Sequence, residues 1–325
     1  MTKPVTRPVT RPVTRPVSAG PAGAVSTAAP RRSAWAVSAP ALLAATRPRQ
    51  WLKNMLVLAA PIAAGAVTRP RVLPGALLAL VAFTLAAAGV YLLNDVRDAA
   101  ADRLHPDKRH RPVASGRLPR AGAVRWGWAL ATLAAALPLV TEEPRLSLAV
   151  LGYLVVSVAY VVRLKSVPVV ELLAVASGFV LRPLGGAIAT DVPPSAWFLG
   201  VCCLGALLLA IGKRYAELLR YGAVAARARP VLGRYSVPVL RRVRVVTAVA
   251  TVAVYVGWAL TRSNAVVNPV YLLSALPLAL LLLRYLQCND RGQGEAPEDL
   301  VLRDRWLQLW GLCWFVAFLV GVVGG

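Results

Sequence analysis

Long apolar segments dominate the chain from about residue 52 onward and recur at short intervals. Each holds roughly 17–23 residues, about the length that an α-helix needs to cross a hydrocarbon layer of ~30 Å. The chain is 58% hydrophobic with a mean hydropathy of +0.61, which is too apolar for an ordinary soluble domain. The pattern predicts an all-α integral membrane protein with nine transmembrane helices, over residues 52–67, 72–93, 122–140, 146–162, 167–190, 195–212, 243–261, 268–286 and 306–323.

Lysine and arginine give the chain a net charge of +23, and their distribution indicates an orientation. If the N-terminus is cytoplasmic, nearly all 37 of these residues fall in cytoplasmic loops or helix ends. The opposite side carries only Arg69, Arg71, Arg145 and Arg262. Because this asymmetry follows the positive-inside rule, the charge indicates topology and attraction to anionic lipids rather than nucleic-acid binding.

The first 45 residues differ in composition from the rest. A Pro-Val-Thr-Arg repeat extends from Pro4 to Arg15, and a stretch rich in Ala, Ser, Gly and Pro follows. Such a segment has too few large apolar residues to form a core. The sequence therefore predicts two regions, a disordered basic tail over residues 1–45 and a transmembrane domain over residues 46–325.

A group of acidic residues lies where the second apolar segment ends. Asn94, Asp95, Asp98 and Asp102 follow one another at helical spacings, so they can share one helical face. Three carboxylates gathered there would repel one another unless a cation lay between them. Oxygen ligands suit Mg²⁺, which completes its coordination shell with substrate phosphates. The spacing predicts a Mg²⁺ site with these four residues as ligands.

Basic residues follow the acidic group in the same loop. Lys108 and Arg111 are placed to hold the rest of a phosphorylated ligand bound there. Every long loop falls on the inner side of the predicted topology, so a soluble phosphorylated substrate would arrive from the cytosol and a second reactant laterally from the bilayer. The sequence predicts a diphosphate site in a polar cavity that faces the cytoplasm.

A second basic group, Lys213, Arg214 and Tyr215, ends the sixth predicted span. Two interpretations are open for it. The cations anchor a helix end in the interface, or together with the tyrosine hydroxyl they bind a phosphate. The second interpretation is favoured because this loop would face the acidic one.

Further polar positions lie in or beside the first and fifth predicted spans. An ionisable residue inside a span is costly unless it is paired or solvated, so Glu171 and Arg182 are candidate functional residues. They share a helix face but lie roughly 16 Å apart along its axis, so each needs its own partner. Lys53 and Asn54 lie about one turn inside the first span, where contact with a ligand and a structural role are equally open. Tyr160 and Lys165 precede the fifth span.

The motif Asn94-Asp95-x-x-Asp98-x-x-x-Asp102, with Arg111-Pro-x-Ala-Ser-Gly after it, resembles the first aspartate motif of the UbiA superfamily of intramembrane prenyltransferases. The resemblance implies nine transmembrane helices, a polar cavity facing the cytoplasm, and Mg²⁺ bound by aspartates. Typical members carry a second Asp-x-x-x-Asp motif after the sixth helix. Here that position reads Lys-Arg-Tyr-Ala-Glu from residue 213, which removes a metal site and supplies a phosphate site.

One branch of the superfamily, the decaprenyl-phosphate phosphoribosyltransferases, shares this departure and is similar to the chain from about residue 46 to its end. The resemblance implies transfer of a phosphoribosyl group from phosphoribosyl diphosphate (PRPP) to a polyprenyl phosphate, with release of diphosphate. It also implies a bacterial inner membrane and, in actinobacteria, the first step towards cell-wall arabinan. The matching stretches are Arg47 to Asn54, the aspartate motif, Arg182 to Gly186, Trp197-Phe198, Gly212 to Leu218, Glu295 to Asp299 and Leu302 to Arg305.

For that reaction, Mg²⁺ on the acidic group would neutralise the leaving diphosphate. The acceptor phosphate is already an anion, so it needs no strong general base. The remaining expected roles are the donor 5-phosphate for Lys213, Arg214 and Tyr215, the acceptor phosphate for Lys53, Lys165 and Arg182, and a ribose hydroxyl or the ordering of Lys165 for Glu171.

Two other functions stay open on the sequence alone. A UbiA-type prenyltransferase acting on an aromatic or lipid acceptor would use the same first motif, although the missing second aspartate motif argues against it. A transporter or scaffold would more often show internal repeats, and none is evident beyond the tail. Small-residue faces such as Gly185-Gly186 permit helix association and hence a homo-oligomer.

Overall fold

The structure, a computed structural model, describes residues 37–70, 72–105, 107–228, 230–262 and 269–324. Most of the predicted tail lies outside these residues, so its disorder stays a prediction. Helical structure begins at Ala39, inside the segment that the sequence assigned to the tail. Helices joined by turns make up the described residues, with no strand among them, and the all-α fold class is confirmed.

Eight α-helices within the described ranges are long and apolar enough to cross a membrane, as expected for a multi-pass membrane protein. Three others are short, and short 3₁₀ helices occupy several of the connections. The α-helices are α1 (Ala39–Ala45), α2 (Ala59–Ala63), α3 (Val72–Leu104), α4 (Arg120–Val140), α5 (Pro144–Val162), α6 (Val170–Ala189), α7 (Ala196–Ala228), α8 (Val237–Arg262), α9 (Val270–Asp290), α10 (Pro297–Arg303) and α11 (Arg305–Gly324).

The count of nine spans is not confirmed, because the first predicted span has a different structure. Its residues form a 3₁₀ helix, Pro48–Leu58, that leads directly into the short helix α2. Pro61 within α2 lacks a backbone N–H and cannot extend regular α-helical hydrogen bonding. A 3₁₀ helix rises about 2.0 Å per residue, so the segment reaches farther into the bundle than its length suggests.

Small residues on α3 form the centre of the first half of the bundle. Ala79, Ala82 and Ala86 are fully buried there, and side chains from α4 and α5 pack against them. At Gly89 an added Cβ would lie 2.6 Å from the carbonyl oxygen of Gly127 on α4. Such contacts let membrane helices approach closely, which stabilises their association where no hydrophobic effect operates between them.

The glycine pair Gly185-Gly186 on α6 packs inside the chain. A Cβ at Gly185 would overlap the ring of Phe83, and a Cβ at Gly186 would overlap the backbone of Val57. The pair therefore fits α6 against α3 and the 3₁₀ helix Pro48–Leu58. The pair permits helix association, here between segments of one chain, and a homo-oligomer stays a prediction.

Polar side chains collect at one end of the bundle, where α3, α5, α7 and α9 end and α4, α6, α8 and α11 begin. Ion pairs join these ends, for example Lys165 after α5 with Asp98 on α3. Arg244 on α8 likewise pairs with Asp290 at the end of α9. We call this region the polar end, and it holds the candidate site.

Candidate functional site

Three aspartates on the last turns of α3 form what we call the carboxylate cluster: Asp95, Asp98 and Asp102. Their spacing places them on one side of the helix, as predicted. Asp95 and Asp102 are buried, and Asp98 is half-buried. Asn94, the fourth predicted ligand, lies half-buried beside them. The cluster thus extends from the bundle interior towards its surface.

Two arginines neutralise the inner part of the cluster. Arg47, just before the 3₁₀ helix Pro48–Leu58, donates a hydrogen bond to Asp95 Oδ1. Arg111, in the loop after α3, places Nη1 2.7 Å from Asp102 Oδ2 and 3.5 Å from Asp95 Oδ1. Arg111 therefore occupies the position that the sequence assigned to it beside the acidic group, whereas the sequence analysis did not select Arg47.

A lysine neutralises the outer part of the cluster. Lys165 Nζ donates to Asp98 Oδ1 from the turn between α5 and α6. About a quarter of each side chain is exposed, 25% for Lys165 and 29% for Asp98. The pair is therefore accessible to a charged ligand, and the structure brings together two residues predicted for the site from distant parts of the chain.

The cluster has the ligand chemistry for a divalent cation, but its carboxylates do not surround one point. No group of three His, Cys, Asp or Glu side chains within the described ranges has the geometry of a metal site. Asp95 Oδ2 is buried with no hydrogen-bond partner, so it is an acceptor that a cation would satisfy. Arg47, Arg111 and Lys165 place cations beside the three carboxylates, and Mg²⁺ at the cluster stays a prediction.

Arg182 and Asn54 form a buried pair inside the bundle. Arg182 Nε lies 2.7 Å from Asn54 Oδ1, and Asn54 Nδ2 donates to Thr84 Oγ1 at 3.0 Å. The Arg182 guanidinium also contacts the carbonyl oxygen of Gly178 and the hydroxyl of Tyr153. These contacts supply the separate partner that Arg182 was expected to need, and they use all three of its nitrogens within the protein.

A second ion-pair group, which we call the buried clamp, consists of Glu171, Arg214 and Glu217. Arg214 Nε lies 2.7 Å from Glu171 Oε1, and Nη1 lies 2.7 Å from Glu217 Oε2. Its Nη2 donates to the Tyr160 hydroxyl at 3.2 Å. Arg214 was expected to bind the donor 5-phosphate and Glu171 a ribose hydroxyl or Lys165. The structure instead pairs the two residues, because each buried charge needs the other.

Tyr215 also has partners inside the protein. Its hydroxyl lies 2.8 Å from Asp290 Oδ1, and its ring lies under the guanidinium of Arg244 at 4.0 Å. Arg244 is buried and donates to the same carboxylate. Tyr215 therefore helps to join α7, α8 and α9, and this use differs from the phosphate contact predicted for it.

The predicted lysines lie nearer the surface of the polar end. Lys213 and Lys108 are half-buried. Lys53 is also half-buried, with its ammonium 5.9 Å from the centre of the Phe179 ring. Of the three residues expected to bind the donor 5-phosphate, Arg214 and Tyr215 have the contacts described above, and Lys213 lies half-buried at the polar end.

The loop after α3 contacts α7 through aromatic and polar side chains. Rings of His105 and Tyr221 lie 6.0 Å apart, edge to face, and the Tyr221 hydroxyl lies 3.3 Å from Asp107 Oδ2. Burial and the nearby Lys108 ammonium lower the pKa of His105, so the imidazole is neutral at physiological pH. Its Nδ1 can then accept the backbone N–H groups of Asp107 and Lys108.

Arg47, Arg244 and Asp290 are the main site residues that sequence analysis missed. Arg47 lies close in sequence to Arg49 and Lys53, and any of these cations could have faced the acidic group. Arg244 lies within an apolar stretch one turn after two other arginines, Arg241 and Arg242. A signal existed for it, because an arginine within a predicted span is expected to be paired.

Comparison with known proteins agrees with this fold. The UbiA prenyltransferase family matches residues 54–312, which include the carboxylate cluster and the buried clamp. A UbiA homolog from Archaeoglobus fulgidus, solved bound to DMAPP and Mg²⁺, has the same fold, with a TM-score of 0.66. At 20% sequence identity, the match covers 87% of this chain and 98% of that one. The chain belongs to the UbiA prenyltransferase family.

Relatives that are 38–41% identical over most of the chain carry the name of one kind of enzyme. The decaprenyl-phosphate phosphoribosyltransferase of Corynebacterium glutamicum is 38% identical over 286 residues, which cover 86% of each chain. The decaprenyl-phosphate phosphoribosyltransferase of Mycobacterium tuberculosis is 41% identical over 291 residues, which cover 86% of this chain and 94% of the relative. The similarity to these transferases therefore extends over most of the chain.

Proposed function

We propose that the chain is a polyprenyl-phosphate phosphoribosyltransferase, which moves the 5-phosphoribosyl group of PRPP to a decaprenyl-type phosphate and releases diphosphate. The observation that carries this proposal is the buried clamp. A typical UbiA prenyltransferase has a second acidic metal site, which in this chain would have to form at residues 213–217. Arg214 instead neutralises Glu217 there. The absence of the second acidic site argues against a prenyl diphosphate donor, and the named relatives share the proposed activity.

The proposed reaction needs charge neutralisation more than proton transfer. A phosphate oxygen of the lipid forms a bond to C1 of the ribose, and the bond from C1 to the diphosphate breaks. Positive charge develops at C1 while negative charge develops on the leaving group. Since the attacking phosphate is already ionised, no side chain has to remove a proton from it. The protein contributes positioning and fixed charges.

The carboxylate cluster is the proposed place for the diphosphate. Asp95, Asp98 and Asp102, with Asn94, are the residues that would hold Mg²⁺, and Asp95 Oδ2 is a buried acceptor without a donor. When bound, Mg²⁺ would neutralise the diphosphate oxygens. Arg111 would remain beside the same oxygens, because a guanidinium binds phosphate as readily as carboxylate.

The proposed acceptor contacts lie on the outer side of the cluster. Lys165 is a quarter exposed and pairs with the outermost aspartate, Asp98, so it would meet a lipid phosphate that approaches from the bilayer. Lys53 is the second candidate for that phosphate. Arg182 is not retained in this role, because its nitrogens contact Asn54, Gly178 and Tyr153.

We also propose that the polar end faces the cytoplasm of a bacterial inner membrane. The positive-inside rule supports this orientation, since the loops at the polar end carry most of the Lys and Arg residues. The water-soluble donor would then reach the site from the cytosol. Accessibility of single cysteines placed at the two ends of the bundle would test the orientation directly.

The test of function is a transfer assay on purified protein in detergent. The protein would receive labelled PRPP, a decaprenyl-type phosphate and Mg²⁺, and the lipid fraction would be analysed for label. We expect a labelled lipid that depends on both substrates and disappears with EDTA. A folded protein that makes no labelled lipid with several chain lengths, but prenylates an aromatic acceptor from a prenyl diphosphate, would contradict the proposal.

A further inference from the structure

A cavity of about 310 Å³ opens at the polar end next to the carboxylate cluster. It lies where the end of α1, the first residues of the 3₁₀ helix Pro48–Leu58 and helix α10 meet. Its polar groups are two guanidinium groups, one amide and one carboxylate. The residues that line it are Ala44, Arg47, Pro48, Arg49, Gln50 and Asp299.

Arg47 connects this cavity to the carboxylate cluster. Its guanidinium lies 4.9 Å from the centre of the Tyr91 ring and donates to Asp95. One residue thus lines the cavity and neutralises the buried carboxylate. A ligand that spans both places would have one anionic group at the aspartates and the remainder in the cavity.

The backbone at Arg47 has an unusual conformation. Its φ of 56° and ψ of 65° are left-handed, which residues other than glycine rarely adopt. Pro48 follows, and a residue before proline normally prefers an extended conformation. Strain of this kind persists where surrounding contacts fix it, and it occurs most often at functional sites. Here it holds Arg47 between the cavity and Asp95.

The mixture of charges in the cavity favours one chemical class of ligand. Guanidinium groups bind phosphate oxygens in a bidentate manner. Asp299 would repel a bare phosphate, but its carboxylate accepts hydrogen bonds from vicinal hydroxyl groups. A sugar phosphate satisfies both kinds of residue at once, whereas the phosphate of a polyprenyl lipid offers no hydroxyl groups to Asp299.

We propose that this cavity binds the phosphorylated pentose of the donor, an inference that rests on the proposed function. Arg49 and Gln50 contact the 5-phosphate, and Asp299 accepts hydrogen bonds from the ribose hydroxyls. Arg47 lies between this group and the diphosphate at the carboxylate cluster. The donor 5-phosphate is thus assigned to Arg49 rather than to Lys213.

Ribose 5-phosphate is a suitable probe because it carries the pentose and its phosphate but no diphosphate. Its binding to the full-length protein in detergent would be measured by calorimetry, with inorganic phosphate in parallel. We expect the Arg49→Gln variant to bind ribose 5-phosphate about tenfold more weakly or worse. The Asp299→Asn variant should lose affinity for ribose 5-phosphate but not for inorganic phosphate. Arg303→Gln, an exposed residue on the same helix α10, is the matched control.

Kinetics distinguish the donor from the lipid acceptor. Arg49→Gln should raise KM for PRPP by about tenfold or more and leave KM for the polyprenyl phosphate unchanged. A rise in KM for the lipid instead, or a donor effect in Lys213→Gln with none in Arg49→Gln, would overturn the inference. If the wild-type protein transfers no phosphoribose, the proposed function fails, and calorimetry alone then decides whether the cavity binds a pentose phosphate.

Discussion

The carboxylate cluster and the buried clamp both pair carboxylates with basic side chains, but they differ in their access to solvent. Arg47 and Lys165, which neutralise the cluster, have 21% and 25% of their side chains exposed. In the clamp, Arg214 is 2% exposed and Glu171 is fully buried. One buried acceptor of the cluster, Asp95 Oδ2, has no partner, whereas every nitrogen of Arg214 has one.

This difference indicates which group can bind a ligand. Partly solvated cations can exchange a carboxylate for a phosphate at small cost, because water already compensates part of their charge. A fully buried pair cannot be opened without leaving an uncompensated charge in a medium of low dielectric constant. We infer that the cluster binds substrate while the clamp fixes α5, α6 and α7 around it.

The clamp offers the largest expected effect on stability. Glu171→Gln would leave Arg214 with one carboxylate and a hydroxyl, and we expect a loss of about 3–5 kcal/mol in the free energy of unfolding. Denaturant or thermal unfolding in detergent would measure it. Glu142→Gln, at an exposed position far from the polar end, is the matched control and should change stability by less than about 0.5 kcal/mol. A stable Glu171→Gln variant that loses only transfer activity would show instead that Glu171 contacts substrate.

The carboxylate cluster offers the largest expected effect on activity. Asp95→Asn keeps the shape of the side chain but removes the buried charge, so transfer should fall by about 100- to 1,000-fold. The unfolding midpoint should stay close to that of the wild type. Asp107→Asn, in the exposed loop after α3, is the control. Equal activity of the Asp95→Asn variant and the wild type would refute the placement of the diphosphate.

An intermediate effect is expected at the outer edge of the cluster. The Lys165–Asp98 pair is partly exposed, so Lys165→Ala should cost no more than about 1 kcal/mol of stability. It should nevertheless raise KM for the polyprenyl phosphate several-fold, since a cation at the mouth of the site is lost. Arg163→Ala, an exposed residue in the same turn, separates this effect from a general loss of positive charge. An unchanged lipid KM would leave Lys53 as the acceptor residue.

Local spacing predicted the face shared by Asp95, Asp98 and Asp102, because helical periodicity alone determines it. It could not predict their partners. Arg47 is 48 residues from Asp95, and Lys165 is 67 residues from Asp98. Such pairs depend on how helices pack, and several nearby cations were equivalent on sequence grounds. For the same reason Arg214 was assigned to a phosphate, although packing places it against Glu171.

Hydropathy predicted the long helices well, since eight of the nine predicted spans correspond to helices long enough to cross a membrane. The ninth, over residues 52–67, is not confirmed, because a 3₁₀ helix and the short helix α2, which contains Pro61, occupy most of these residues. The resulting 3₁₀ segment carries Lys53 and Asn54, and the left-handed Arg47 precedes it. The part of the backbone that hydropathy described least well therefore lies closest to the site.

The side chains of Arg284 and Asp304 are 20% and 13% exposed, between those of the cations that neutralise the carboxylate cluster and those of the buried clamp. Breaking this ion pair should have the smallest effect on stability. Arg284 Nη2 lies 2.7 Å from Asp304 Oδ2, and the backbone N–H of Leu307 donates to Oδ1 at 2.9 Å. Asp304 therefore caps the start of α11. Asp304→Asn keeps an N-terminal cap but loses the charge, so we expect a cost of about 1 kcal/mol or less at neutral pH.

The pH dependence of that small cost identifies its origin. The hydrogen bond from Arg284, with the N–H of Leu307, holds the pKa of Asp304 at about 2, below its ordinary 3.8. A carboxylate with a lowered pKa contributes stability that is complete above pH 3.8 and is lost as the pH falls through about 2. The difference in unfolding midpoint between wild type and Asp304→Asn should therefore be constant near neutrality and shrink in acid. A difference that persists in acid would mean that the Asp304 carboxylate stabilises the protein by packing rather than by charge, and the pair would then resemble neither the cluster nor the clamp.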